Sequence, residues 1–207
     1  VLGFSGPLRR MDEIGVEPGP LRLQDAVLGS PVVRGAARPM RFAEHWRIPV
    51  TDGPDRDQFG SSAERLHEGR FVISTTSNHV GLRLRPDAFA SLPARERTDE
   101  VMSRGVPSGA FEVPAGDELL VLHRGRGVTA GYPVLAVVTA TGLSRLGQAR
   151  PGHSVEFVRV TLAEAVAAAR AERALIDGVS SRMTRLLSAQ TSYRPGDESP
   201  ATHRVAS

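Results

Sequence analysis

From Trp46 onward this chain is cut into short apolar runs of four to seven residues, nearly all bounded by Gly or Pro. Runs of that length suit strands, since a helix needs a longer periodic stretch to bury a face. Trp46 to Val50 is stopped by Asp52-Gly53-Pro54. Phe71 to Ser74, Gly81 to Leu84, Ala110 to Val113, Glu118 to His123, Pro133 to Thr139 and Val155 to Val160 follow. Gly81 to Leu84 alternates, with Leu82 and Leu84 on one side and Arg83 and Arg85 on the other. Regular strand–helix alternation is absent, so the expected class is mainly β, a barrel or a sandwich. Residues 55–69 read as helical or looped, and 86–100 as a polar connection. A single long helix is expected from about Leu162 to Leu187. Thr161 serves as its N-cap and Glu164 stands three residues on, as in a capping box. Upstream, Leu21 to Leu23 and Ala26 to Leu28 are the best strand candidates in a Gly/Pro/Arg-rich segment. Residues 188–207 are Ser/Pro/Thr-rich and expected to be disordered.

Composition removes several chemistries. The chain has no cysteine, which excludes disulfides, thiolate metal ligands and a cysteine nucleophile. All 26 basic residues are arginine, which excludes a Walker-A lysine and Schiff-base chemistry in this chain. Against 23 acidic residues the net charge is only +3, and no basic block is interleaved with aromatics, so nucleic acid is not an expected partner. No run approaches the roughly 18 apolar residues of a membrane span, so no membrane partner is expected either. The opening VLGFSGPLRRM lacks the pattern of an intact signal peptide. A cytoplasmic location is the default expectation, and the Val start suits a chain that begins inside a longer protein.

Among the polar clusters, Arg124 to Gly131 (RGRGVTAG) follows a strand but precedes another strand. It therefore does not read as a dinucleotide fingerprint, which needs a helix after the glycines. It is either a Gly-rich connection lining a cleft or a plain turn. The six histidines show no metal-ligand spacing. His79, in Ser77-Asn78-His79, reads as part of a turn, and His123 as a core or rim residue. Ser5 in GFSGP fails the spacing of a nucleophile elbow. Asp12/Glu13 and Asp55/Asp57 are expected on a solvated surface. Glu112 differs: it stands in an apolar strand, AFEV, and either points into a pocket as acid, base or ligand contact or faces water.

Five segments, in order, resemble the biotin-dependent carboxyltransferase/KipA family, also called allophanate hydrolase subunit 2 or the C component of 5-oxoprolinase. Gly53-Pro54 with Phe59 is similar to its G-P loop, and Ser77 to Leu84 (SNHVGLRL) to its S-[DN]-R-[MV]-G-x-R-L motif. Ser103 to Pro114 (SRGVPSGAFEVP) resembles S-x-G-V-x-x-G-A-[I]-Q-V-P, and Thr129 to Pro133 (TAGYP) resembles T-T-G-G-Y-P. Leu143 to Gln148 with Pro151-Gly152 resembles D-L-x-R-L-x-Q-x-x-P-G, followed by Val155 to Phe157. The resemblance spans about 46 to 165. His79 stands where the family usually has Arg, Glu112 where it has Gln, Ala130 for the first Gly of Gly-Gly-Tyr-Pro, and Gly125 for an Asp. The family's N-terminal T-[VL]-Q-D-x-G motif has no counterpart, so a fragment or a divergent short member is expected.

The resemblance implies a cyclophilin-like β-barrel with a C-terminal helix over 46–187, preceded by a remnant of the family's N-terminal half in 1–45. It implies work beside a KipI-like (allophanate hydrolase subunit 1-like) protein and, in the 5-oxoprolinase branch, a LamB/YcsF-like subunit. That branch opens 5-oxo-L-proline to L-glutamate with ATP. In the carboxyltransferase branch a carboxyl group passes from carboxybiotin to urea or a similar amide. A third implied role is regulatory binding of the KipI-like partner. The chain itself is not expected to hold a cofactor; ATP belongs to the complex, and biotin to the alternative. Glu112 and Arg83 are the candidate catalytic residues. Asn78, Gly125, Arg126, Thr129, Gly131 and Tyr132 are the candidate substrate contacts. Backbone N–H groups of 125–131, with Arg83 or Arg126, would stabilise a developing oxyanion.

Overall fold

The computed structural model describes residues 43–97, 100–114 and 118–191. Leu21 to Leu23, Ala26 to Leu28, Ser5, Asp12/Glu13 and the tail beyond Thr191 lie outside the described residues. The chain divides into two units, Pro39–Ser181 and Val1–Arg38 with Arg182–Ser207. Of the second unit, only the end of the last helix is described.

The strands are β1 (His45–Asp52), β2 (Arg70–Ile73), β3 (Gly81–Pro86), β4 (Arg104–Gly105), β5 (Ala110–Glu112), β6 (Leu119–Leu122), β7 (Thr129–Ala130), β8 (Val134–Val138) and β9 (Ser154–Arg159). Seven of them close into a barrel in the order β1-β8-β5-β6-β3-β2-β9, and β4 pairs with β7 in a separate ribbon. The closing β1–β9 pair is parallel, with Trp46 opposite Val155 and Ile48 opposite Phe157. The other barrel pairs are antiparallel. The expected mainly-β barrel is therefore the fold, and closure leaves it no free sheet edge.

Period-2 alternation sends Ile48, Val50, Phe71, Ile73, Leu84, Phe111, Val121, Val155 and Phe157 into one buried cluster. Phe111 meets Phe157 edge-on with ring centroids 4.7 Å apart. The 55–69 segment resolves into 3-10 turns over Arg56–Leu66, which add Phe59, Ala63 and Leu66 to that core. Burying a side chain of Phe or Leu size stabilises by about 1.5–3 kcal/mol.

The opposite, outer face of β5, β6 and β8 is also apolar. Ala110, Leu122 and Val134 join Val106 in a second cluster, with Leu120, Ala130 and Val137 packed against it. Val106 follows β4 and Ala130 lies in β7, so the ribbon covers this face. Strands covered on both faces read as continuous apolar runs, which accounts for LLVL in β6 and VLAVV in β8.

Two helices complete the described residues. α1 (Ala140–Leu146) opens where the Thr139 side chain accepts from the Gly142 N–H at 3.1 Å. α2 (Leu162–Thr191) starts with the expected capping box: Glu164 N–H donates to Thr161 Oγ1 at 3.2 Å, and Thr161 N–H donates to Glu164 Oε2 at 2.7 Å. α2 runs four residues past its expected end. Neither α1 nor the two-residue strands β4 and β7 is evident in the sequence. No described helix is long and apolar enough to cross a membrane.

Candidate functional site

The Gly53-Pro54-Asp55 loop continues the sheet beyond β1 along the start of β8. Gly53 N–H donates to Leu135 O at 2.9 Å, and Asp55 N–H to Val134 O at 3.1 Å. A Cβ on Gly53 would stand 2.2 Å from the Val134 carbonyl oxygen, so only glycine permits this approach. The result is a buried Asp55 whose Oδ2 accepts the Val134 N–H at 2.7 Å and pairs with the Arg104 guanidinium of β4. This corrects the expectation of a solvated Asp55/Asp57 pair: Asp57 is exposed, but Asp55 ties the ribbon to the barrel. Its partners lie 49 and 79 residues away, beyond what local composition shows.

On the other side of β8, Glu112 stands opposite Val134. Phe111 points into the barrel, so Glu112 points outward onto the face beneath the ribbon, where it is 2% exposed. Its Oε1 is buried and has no hydrogen-bond partner among the described residues. Burial pushes the Glu112 carboxyl above the ordinary glutamate range. Alternation along the strand allows a pocket or water as its surroundings. The structure places the side chain outside the barrel yet out of solvent.

Arg83 does not meet Glu112. It pairs in register with Leu120, which pairs with Glu112, so two inter-strand spacings, about 9.5 Å, separate the backbones. Its Nη1 lies 3.2 Å from Glu118 Oε2, and Arg85 Nη2 lies 2.9 Å from Oε1 of the same carboxylate. The Arg85 hydrogen bond, then that of Arg83, holds the Glu118 carboxyl below the usual range.

The remaining candidates gather around the 123–132 connection. Asn78 Oδ1 accepts from the N–H groups of Val80 and Gly81, at 2.9 and 3.3 Å, and so shapes the turn before β3. Gly125 N–H donates to His79 O at 2.8 Å, and a Cβ on Gly125 would lie 2.2 Å from the His79 ring. Arg126 donates from Nε to Val106 O and from Nη1 to Ser108 Oγ, each at 2.9 Å. Thr129 pairs with Gly105 in the ribbon, and Gly131-Tyr132 leads from β7 into β8, with Tyr132 half exposed. His123, at the rim, has its ring pushed toward the neutral form by burial and by the charge of Arg124.

The backbone N–H groups of Gly125 and Arg126 are already engaged, by His79 O and His123 O. The connection therefore pins loops together and offers no open cradle there for phosphate. Among the described residues no cluster of three His, Asp or Glu could hold a metal ion. What the fold brings together is the G-P loop, the 103–114 segment and the TAGYP segment, all around Val134. The resulting site holds one satisfied and one unsatisfied carboxyl group. Asp55 and Arg104 are the members that sequence reasoning missed.

Comparison with known proteins agrees with this convergence of segments. The C component of the 5-oxoprolinase of Escherichia coli is 26% identical over 138 residues, covering 66% of this chain and 43% of that protein. The Haemophilus influenzae protein of the same name is 23% identical over 167 residues, covering 81% and 46%. The chain thus spans less than half the length of these curated relatives. In three dimensions it is similar to the K. lactis urea amidolyase, with a TM-score of 0.60 at 22% identity, covering 70% of this chain and 9% of that one. At that identity the likeness shows the fold alone. The family described as carboxyltransferase domain, subdomain A and B, matches residues 3–159, which carries the resemblance read from about 46 back to residue 3. With three quarters of its length so matched, the chain belongs to the carboxyltransferase-domain family.

Proposed function

We propose that this chain acts as part of the C component of a 5-oxoprolinase, in the ATP-dependent opening of 5-oxo-L-proline to L-glutamate. The reading is supported by the names of the two curated relatives, whose similarity covers most of the chain. The observation that carries it in the geometry is Glu112, a desolvated acid with an unpaired oxygen on one of the segments that carry the family resemblance. In the reaction the ring C–N bond breaks and a water oxygen joins the former amide carbon. The ring nitrogen takes up a proton and becomes the amino group of glutamate, while ATP is hydrolysed to ADP and phosphate. Glu112, whose carboxyl burial pushes toward the neutral form, is placed to supply the proton of that exchange.

ATP is assigned to the partner subunits; in the glycine-rich connection the Gly125 and Arg126 N–H groups are already spent on carbonyls. The partners are a KipI-like and a LamB/YcsF-like protein. Met102, Val128 and Tyr132 stand exposed on and beside the ribbon, an apolar surface for such a subunit to cover. Arg83 and Arg126 would stabilise the developing oxyanion through guanidinium N–H groups beyond those that bond Glu118, or Val106 and Ser108. A second reading, carboxyl transfer to urea or a similar amide from carboxybiotin, rests on the family description.

The test is co-expression with both partners and an assay of glutamate from 5-oxoproline, with and without ATP. Glutamate that needs ATP and disappears when this chain is omitted supports the reading. Co-purification of the three chains without glutamate overturns it in favour of carboxyl transfer or regulatory binding.

A further inference from the structure

We infer that Glu112 is the docking point for the N–H/C=O edge of a cis amide, the edge shared by a lactam ring and by urea, reached when the β4–β7 ribbon lifts from the barrel. The lactam form of the inference rests on the 5-oxoprolinase reading.

The geometry begins with the unpartnered Oε1 of a side chain that is 2% exposed. A buried polar atom without a partner is costly unless something in the working state satisfies it. The residues opposite it on the flanking strands, Leu120 and Val134, are apolar, and among the described residues nothing donates to Oε1. Burial favours the neutral carboxyl, which carries one O–H donor and one C=O acceptor side by side. A cis amide presents the complementary pair, N–H beside C=O, so the two groups join through two parallel hydrogen bonds. A five-membered lactam is locked in this geometry and urea also shows it, whereas a trans peptide bond cannot.

Access is set by the ribbon. Each of its strands has two residues, and it is tied to the G-P loop by Arg104 and Asp55. Elements with so few backbone bonds open more readily than a closed barrel. Glutamine at 112 would present the same donor–acceptor pair without titrating.

The probe pair is 2-pyrrolidone and N-methyl-2-pyrrolidone, which differ in the lactam N–H. Each is titrated into the full 207-residue chain by ligand-observed NMR between pH 5 and 9. The N–H lactam is expected to bind about tenfold more tightly, as the loss of one well-made hydrogen bond implies. As pH rises and the carboxyl ionises, the O–H that donates to the lactam carbonyl is lost, so both probes should bind more weakly while the N–H preference persists. Glu112→Gln should keep the preference and make the affinity independent of pH. Glu112→Ala should lose the preference, with Glu112→Met as a second apolar variant should the alanine chain not fold. Equal binding of the two probes, no binding of either, or a preference that survives in both apolar variants overturns the inference. Lactam preference without turnover in the assembled complex removes the 5-oxoprolinase reading and leaves this site standing. Turnover with KM unchanged in Glu112→Met does the reverse.

Discussion

Asp55 and Glu112 are both buried carboxyl-bearing residues on the outer face of the barrel, and both are positioned by Val134, one from each side of β8. Asp55 is employed through one oxygen: Oδ2 takes a backbone N–H and a guanidinium. Glu112 has an oxygen that takes nothing. The same burial therefore has opposite consequences. At Asp55 it strengthens a set of hydrogen bonds that hold the ribbon, and at Glu112 it is a standing cost that the fold bears. A group kept at a cost is a better functional candidate than one kept for its contacts.

The largest expected effect comes from removing the satisfied acid. Asp55→Ala leaves the Val134 N–H without its acceptor and Arg104 without its partner. It should cost about 2–3 kcal/mol, below the range for breaking a fully buried pair because Arg104 is partly exposed. Urea denaturation should show this as a lower midpoint with unchanged slope. Asp55→Asn keeps an acceptor for Val134 and should cost about half as much.

Replacing the unsatisfied acid should have the opposite sign. Glu112→Met keeps the volume and removes an unpaired polar atom, so stability should rise or hold, by about 0–2 kcal/mol. A loss comparable to that of Asp55→Ala would show that Glu112 is a structural partner after all, and the contrast would collapse.

The two acids are not equally legible in the sequence. Glu112 stands out because an acid in AFEV breaks an apolar strand. Asp55 looks like ordinary loop polarity, because what buries it is Arg104 and the backbone of Val134. Alternation can place Glu112 on one face or the other, but cannot show that both faces are covered. That cover is the β4–β7 ribbon, whose two-residue strands are too short to carry a period. α1 is hidden for a related reason: it has seven residues and buries only Gly142 and Leu146, so its one sequence signal is the Thr139 cap. The barrel strands and the start of α2 are legible because each carries its own local signature, a short apolar or alternating run between Gly and Pro stops in one case and the Thr161–Glu164 box in the other.

pH sharpens the contrast further. The folded-state pKa of Glu112 is raised by burial, so between the unfolded value near 4.3 and the folded value the native state binds more protons than the unfolded state. Stability should therefore fall as pH rises through that window and level off above it. Glu118 and Glu164 are shifted down, by Arg85 with Arg83 and by Thr161 respectively, and contribute the opposite slope at lower pH. The difference between wild type and Glu112→Gln isolates the first contribution: the variant should lose the decline above about pH 4.3 and keep the rise below it. Denaturant midpoints at half-unit pH steps measure it. Identical profiles would mean that Glu112 does not titrate as a desolvated acid.

The smallest effect is expected at a third carboxylate, Glu118, which has partners like Asp55 but lies near solvent. Arg85 makes the stronger contact to it and Arg83 the weaker, so Arg83→Ala leaves the carboxylate paired. The stability change should be about 0.5 kcal/mol or less at low ionic strength and should vanish near 1 M salt, as for exposed ion pairs in general. Arg85→Ala should cost somewhat more, and the double variant no more than the sum. The same Arg83→Ala chain, assembled with its partners, decides the oxyanion role. A fall in kcat on the order of a hundredfold beside so small a stability change would mean that Arg83 stabilises charge during turnover. Without such a fall, Arg83 is a surface pair to Glu118, and of the two candidate oxyanion partners only Arg126 is left beside Glu112.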